Sequence, residues 1–295
     1  MRRIEFIIPP DYDGKTVYTF LKGKAKISLG LLRSLKRVEN GIELCGNHIR
    51  TVDPVHTGDK LAITIPDDEV CTDSDGGKEI TALIEPDVIY EDEDVLVVNK
   101  PALLPIHESH NHQGDTLQNV VGAYLQKKGK SASFRAIGRL DKGTSGLVVC
   151  ALNRYCAARL SGNIGKEYLA VATGEYNEEG TIDTPIYRPD PMKTYRTVDE
   201  RGDRAVTHYR PEKTGGGLTL LRINLETGRT HQIRVHFSSL GTPLVGDTMY
   251  GTPDDRVLHQ CLHCAKVSFI HPLTGDEIVC EAPMPKDMND IAQTI

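Results

Sequence analysis

The stretch Arg139-Leu140-Asp141-Lys142-Gly143-Thr144-Ser145-Gly146 sets an acid between two basic residues, at a turn joining two apolar segments. Ala136-Ile137-Gly138 leads in, and Gly146 to Leu152 reads as a buried strand. Glycine, threonine and serine suit the sharp bend such a junction requires. The Asp141 carboxylate should stay ionised beside arginine, because a nearby positive charge favours the charged form. A charged nucleophile or base in a basic surround is what chemistry on a polyanion needs. The same residues also make ordinary turn chemistry, so the turn by itself leaves a structural aspartate open.

Two more stretches carry reactive side chains in order. Lys166-Glu167-Tyr168-Leu169-Ala170, with Gly174 behind it, sets a tyrosine in an apolar strand. Thr227-Gly228-Arg229-Thr230-His231-Gln232-Ile233-Arg234-Val235-His236 is followed by Pro243-Leu244-Val245-Gly246-Asp247 and then Tyr250-Gly251. With Arg-Leu-Asp-x-x-Thr-Ser-Gly-Leu at 139–147, these three ordered motifs resemble the RluA-type pseudouridine synthases, from about residue 81 to about residue 283. The chain departs from that pattern at Gly138, where relatives usually carry His. It departs again at Gly143, where an acid is frequent, and at Thr242, where His is common.

The resemblance implies an enzyme that isomerises uridine in RNA. The bond from the ribose anomeric carbon to nitrogen 1 breaks, and the freed uracil rotates and rejoins through carbon 5. Nothing enters from outside, so no cofactor and no metal is implied. The base must leave its stack to reach a closed pocket. By the motif match Asp141 is the catalytic residue, as nucleophile or as base. Tyr168 would stack on the extruded uracil and take part in removing the proton at carbon 5. Arg234 lies off the apolar stripe of Ile233, Phe237 and Leu240 and can face a cleft as the partner of Asp141. Arg139 would fill the gap left by the flipped base or hold a neighbouring phosphate. Lys142 and Arg229 are candidate phosphate contacts. His231, His236 and His263 are expected to satisfy backbone groups and do no catalytic work.

The elements that must position these residues can be read coarsely. Residues 1–66 look like a small α+β module, with short helices at Val17–Leu21 and Ile27–Leu32 and strands at 41–44, 49–52 and 61–65. Its lysine- and arginine-studded helices, with Gly41-Ile42, Val55 and Gly58-Asp59, resemble the S-four RNA-binding module. Lys36 and Arg37 are its candidate RNA contacts. Residues 67–80 have linker composition, and mobility with some freedom between the modules is expected there. The rest, 81–295, reads as strands, turns and a few helices. Helices are expected from Thr116 to Leu125, from Asn153 to Ile164, and from a Thr230 cap to Gly241. A hairpin is expected across Ser268–Cys280. That order fits an α+β sheet better than a βαβ fold. The resemblance implies the pseudouridine-synthase fold: a long, bent, mostly antiparallel mixed sheet with flanking helices and the active cleft across its middle.

Bulk properties agree with this plan. The 295 residues suffice for one large and one small domain, with no tryptophan and an aliphatic core. No run approaches the roughly 18 apolar residues that span a bilayer. No signal peptide is read, so the cytoplasm is the expected compartment. The net charge of −6 argues at first against nucleic acid, but residues 67–94 alone carry −11, leaving the remainder at +5. Residues 126–166 hold nine basic residues against Asp141 alone. Local basic faces set phosphate affinity, not the overall sum. The expected partner is structured RNA, ribosomal RNA before transfer RNA, and the expected state is a monomer. A non-catalytic RNA-binding assembly factor is the alternative. A zinc hydrolase built on Cys261 and Cys264 with His259 and His271 is a weaker one. It lacks a second clear ligand pair, and the thiols should face a core.

Overall fold

The computed structural model describes residues 1–66, 85–109, 112–130 and 134–295. The segment expected to link the modules, 67–80, lies outside them.

Residues 2–65 form a four-stranded antiparallel sheet in the spatial order Arg2–Ile7, Lys60–Ile65, Ile42–Leu44, Asn47–His48. Helices Val17–Gly23 and Leu29–Leu35 cover it. Each helix starts where a hydroxyl can accept a free amide: Thr16 from Thr19 N–H, and Ser28 from Leu31 N–H. The second helix therefore begins two residues later than the apolar pattern suggests. The expected strand at 49–52 is instead a turn. Asp53 accepts from the Arg50 amide at 2.9 Å and returns its own amide to the Arg50 carbonyl. The strand Arg2–Ile7, absent from the sequence reading, supplies the sheet edge.

The larger unit is a ten-stranded sheet. Its path runs Gly180–Asp183, Val206–Gly215, Leu218–Leu225, Gly165–Thr173, Leu262–Ile270, Ser145–Ala151, Val95–Lys100, Asp87–Glu91. Glu277–Glu281 and Arg135–Ile137 pair onto it from the side. Every ladder is antiparallel except that between Leu262–Ile270 and Ser145–Ala151. The fold is α+β, as expected. Ser145–Ala151 is buried at all its positions, and Val95–Lys100 at all but Asn99, the pattern of strands covered on both faces. Val206–Gly215 was missed because Pro211 reads as a strand breaker. Its register shifts between Pro211 and Lys213, and the strand on its other side ends opposite Tyr209. No ladder needs the amide that proline lacks.

The helices Leu117–Lys127 and Arg154–Leu160 start at the caps Thr116 and Asn153. The helix behind the second motif runs Gln232–Ser239. Thr230 does not cap it. His231 precedes it in the left-handed region, at φ 56°, with no side-chain cap bond, and the Gln232 side chain instead braces the turn before the helix, accepting from the Arg229 amide and the Thr227 hydroxyl. A helix at Lys286–Ala292 was not anticipated.

The two sheets touch. Arg2 donates to both oxygens of Asp94 at 2.9 and 2.8 Å, Phe6 meets Tyr155 edge to face, and Arg154 donates to Ser34. This seam departs from the freedom between modules that the linker composition suggested.

Candidate active site

The Asp141 turn is held from below and from the side. Thr144 N–H closes it on the Asp141 carbonyl at 3.0 Å. Lys100, fully buried at the end of its strand, donates to the carbonyls of Pro101, Leu104 and Lys142. Burial pulls this lysine down to about 7, against the attraction of Asp141 and of three carbonyl acceptors that favour the ammonium. Gln260 donates to Thr144 Oγ1 at 3.0 Å. A side chain at Gly143 would meet Gln260 Oε1 at 2.4 Å, so the space where relatives often carry an acid is filled here. Gly146, at φ 110°, lies against the Cys264 backbone, where a Cβ would fall 2.3 Å from its carbonyl oxygen. Only glycine lets the parallel strands come this close.

Arg234 joins three segments remote in sequence. Its Nε and Nη2 donate to the two oxygens of Asp247 at 2.7 and 2.9 Å, a bidentate pair. Its Nη1 donates to Asp141 Oδ2 at 3.0 Å. Asp247 is fully buried, and its Oδ1 also accepts the amides of Met249 and Tyr250. Burial raises the Asp247 carboxyl, but Arg234 and these amides hold it below the usual range. The Tyr250 ring lies under the Arg234 guanidinium at 5.0 Å. Asp141 thus gives one oxygen to the clamp. Its Oδ1 has no hydrogen-bond partner among the described residues.

His231 was expected to satisfy a backbone group and does not. Tyr250 OH accepts from Arg196 N–H at 2.9 Å and also hydrogen-bonds His231 Nδ1 at 2.9 Å. His231 Nε2 lies 3.9 Å from Asp141 Oδ2. Burial lowers the His231 pKa, with Arg234 and Arg196 adding to the effect and Asp141 opposing it. A neutral imidazole therefore faces the carboxylate. His236 and His263 each contact one backbone carbonyl and one hydroxyl, those of Thr184 and Thr207 and of Ala282 and Ser145.

Asp141, Tyr168 and Arg234 line one cleft of about 90 Å³, together with Arg139, Arg229 and His231. Tyr168 is buried, and that burial, with Cys264 and Asp141 nearby, raises its phenol well above 10. Arg139 stands exposed at the rim. Arg229 also lines the cleft, held by the Arg204 carbonyl and 3.5 Å from Asp203. Lys142 is not brought to the cleft, because its ammonium lies 3.2 Å from His112 Nε2. Lys36 and Arg37 are exposed at the end of Leu29–Leu35, in the other sheet's unit. A larger cavity of about 290 Å³ beside Lys100 is lined by Pro101, Leu104, Leu117 and Val120 and holds none of the three residues.

Lys100, His231, Asp247 and Tyr250 were not picked out as site residues. Lys100 had a signal, a charge closing an apolar strand. Asp247 had its place in the Pro-Leu-Val-Gly-Asp run.

Cys261 and Cys264 do not converge on a metal. Cys261 packs with Val171, Val245 and Val257, while Cys264 belongs to the other core cluster, with Tyr168. Burial pushes the thiols up to about 12 and about 11. Asp92, Asp94 and His271 also lie close together. But Asp94 is gripped by Arg2, and His271 Nδ1 accepts the Thr274 amide, so Nε2 carries the hydrogen toward Asp92. A protonated nitrogen is no ligand.

Among known proteins, a family model described as RNA pseudouridylate synthase matches residues 94–239. The chain is 36% identical over 278 residues to the RNA pseudouridine synthase YjbO of Bacillus subtilis, covering 91% of this chain and 95% of that one. It is 36% identical over 228 residues to the ribosomal large subunit pseudouridine synthase D of Vibrio vulnificus, covering 71% and 70%. In structure it is similar to human RNA pseudouridylate synthase domain containing 1, with a TM-score of 0.57 at 23% identity, covering 74% of this chain and 96% of that one.

Proposed function

Because the chain belongs to the RNA pseudouridylate synthases, we propose that it converts uridine to pseudouridine within structured RNA, with large-subunit ribosomal RNA favoured over transfer RNA. The observation that carries this is the Asp141 carboxylate at the cleft, one oxygen clamped by Arg234 and the other unshared. A carboxylate can attack the anomeric carbon or take a proton from the sugar. Both routes need an accessible oxygen held in a fixed direction, which the clamp supplies.

The uridine leaves its stack, and Arg139 at the rim takes the space it vacates or holds the next phosphate. Tyr168 lies against the extruded base. There it takes part in removing the proton at carbon 5. Arg229 meets a phosphate beside the cleft. Lys142, Lys36 and Arg37 meet phosphates farther off. The rearrangement is intramolecular and calls on no cofactor. Residues 1–66 act as the RNA-binding module and 81–295 as the catalytic domain, joined by 67–80. The protein works as a monomer in the cytoplasm. Among the described residues no helix is long and apolar enough to cross a membrane.

The test is tritium release from RNA labelled at carbon 5 of uridine and lacking the modification. Wild type releases tritium, and Asp141→Asn folds and binds RNA while release falls by more than about a thousandfold. Release retained in that variant sinks the assignment. RNA binding without release by either protein points to a non-catalytic RNA-binding factor.

A further inference from the structure

The short hairpin of Ile186–Tyr187 and Thr197–Val198 carries the loop 188–196 beside the cleft. Two contacts with Tyr250 hold the loop there. The Tyr195 ring stacks on the Tyr250 ring, with centroids 5.2 Å apart, and the Arg196 amide donates to the Tyr250 hydroxyl at 2.9 Å. Tyr250 is also the ring that lies under Arg234 and bonds His231. The loop is thus latched to the residues that surround Asp141.

Its two arginines are braced by carbonyls and not by acids. Arg196 Nη1 donates to the carbonyls of Thr194 and Tyr195 at 2.7 and 3.0 Å, and to that of Lys193 at 3.4 Å. Arg188 Nε donates to the same Lys193 carbonyl at 3.0 Å. Two guanidiniums therefore meet at one oxygen. Arg196 keeps Nε and Nη2 unbonded among the described residues, and Arg188 keeps both terminal nitrogens. The acids of the loop and of the turn after it are taken. Asp190 lies 3.9 Å from Lys193 and accepts the Met192 amide, and Asp199 pairs with Arg201 at 2.7 Å. Arg139, exposed, comes from the Asp141 turn and lines the cleft with His231. No carboxylate among the described residues pairs with Arg139, Arg188 or Arg196. Burial lowers the Arg196 pKa, and the charges of Arg188 and then Arg139 lower it further, with Tyr250 opposing.

A guanidinium pinned by carbonyls keeps its charge and its direction, and it still lacks an anion. Three of them gathered at one cleft repel one another, and a bound phosphate relieves that cost. The planar fork of arginine also matches two phosphate oxygens at once. We infer that Arg196 and Arg188 on this loop, with Arg139 from the Asp141 turn, form a clamp for a phosphodiester of the RNA strand that brings its uridine to Asp141. The inference rests on the reading of the chain as an enzyme acting on RNA. A phosphate contact fixes register and orientation and reads no base. The clamp therefore positions the strand, and the choice of uridine is made elsewhere.

The test is filter binding of the full chain to an unmodified large-subunit ribosomal RNA transcript, between about 50 and 200 mM salt. Every protein carries Asp141→Asn, so the RNA stays unmodified. Arg196→Gln removes the charge but keeps an amide that can donate to the loop carbonyls, and Arg188→Gln does the same beside it. Each should weaken binding several-fold and flatten the plot of log affinity against log salt by about 0.7–0.9 unit. Arg201→Gln removes a cation close by in the chain that already has its acid, and should leave the slope as it is. Circular dichroism checks folding. If Arg196→Gln is not folded, Arg188→Gln, an exposed change, decides by itself. Unchanged slopes in the Arg196 and Arg188 variants overturn the inference. So does equal flattening by Arg201→Gln, which would mean diffuse attraction and no clamp. Tritium release by the protein with Asp141 intact is read separately. Flattened slopes without release leave the clamp standing and sink the isomerase; release with unchanged slopes does the reverse.

Discussion

Arg234 and Arg2 grip their aspartates in the same way. Each gives Nε and Nη2 to the two oxygens of one carboxylate, and each turns Nη1 toward a second acid: Asp141 for Arg234, Glu93 for Arg2. The surroundings differ. The side chains of Arg234 and Asp247 are 7% and 0% exposed, and that second acid faces the cleft. At the seam Asp94 is 4% exposed, but Arg2 is 34% exposed and Glu93 lies in solvent. A buried charge pair costs its desolvation whether or not the pair is intact, so losing one partner is severe. A pair with one member in water exchanges that partner for solvent at lower cost. The same fork thus makes a fixed support in the cleft and a releasable clasp between units.

The largest effect should come from breaking the cleft fork. Asp247→Ala leaves Arg234 charged and buried without its main partner, and should cost about 3–5 kcal/mol in urea unfolding. Next, Arg234→Lys keeps the charge but loses the planar fork. Tritium release should fall about a hundredfold, while RNA binding holds. Release near the wild-type rate would mean that charge alone, and not the direction the fork imposes, supports Asp141.

Lys100 sharpens the contrast from a third side, because it is a buried cation held by carbonyls with no carboxylate bonded to it. Its folded value of about 7 lies below the ordinary 10.5. Between those values the unfolded chain binds the extra proton, so stability rises with pH. Below 7 both states are protonated and the desolvation cost is present in full. Wild type should gain about 2 kcal/mol from pH 7 to pH 9 relative to Lys100→Met. Thermal unfolding of the two proteins at both pH values checks it, and parallel behaviour would mean that the three carbonyls hold the ammonium charged.

The smallest effect belongs to the seam. Arg2→Ala should cost about 1 kcal/mol, because its guanidinium is partly in water and Asn153 still serves Asp94. A loss equal to that of Asp247→Ala would erase the distinction between support and clasp.

How much of this could be read in the sequence depended on how local each signal is. Ser145–Ala151, Val95–Lys100 and Leu218–Leu225 follow from apolar runs and alternation. The caps at Thr116 and Asn153 follow from residue type. Asp141, Tyr168 and Arg234 could be proposed from the motifs. What stayed hidden depends on long-range partners. Gln260 fills the space beside Gly143 from more than a hundred residues away. His231 is held by Tyr250, and Tyr250 by the Arg196 amide. The Lys142 ammonium is drawn off by His112. Arg2–Ile7 looks like a strand only once Lys60–Ile65 is there to pair with it. The cap expected at Thr230 gives way to a left-handed His231, and Gln232, two residues on, ties the turn before the helix to the Val206 carbonyl.

The strand Leu262–Ile270 lies between Gly165–Thr173 and Ser145–Ala151, the two strands next to Asp141 and bearing Tyr168, although it is made long after both. Arg234 follows Asp141 by 93 positions and Asp247 follows Arg234 by 13. At about 5–20 residues per second the arginine is synthesised roughly 5–20 seconds after the carboxylate it directs. The sheet that separates and aims these groups cannot close until the inserted strand arrives. On the proposed role of Asp141, a nascent chain therefore holds its aspartate without aim until the strand Leu262–Ile270 has been made and inserted.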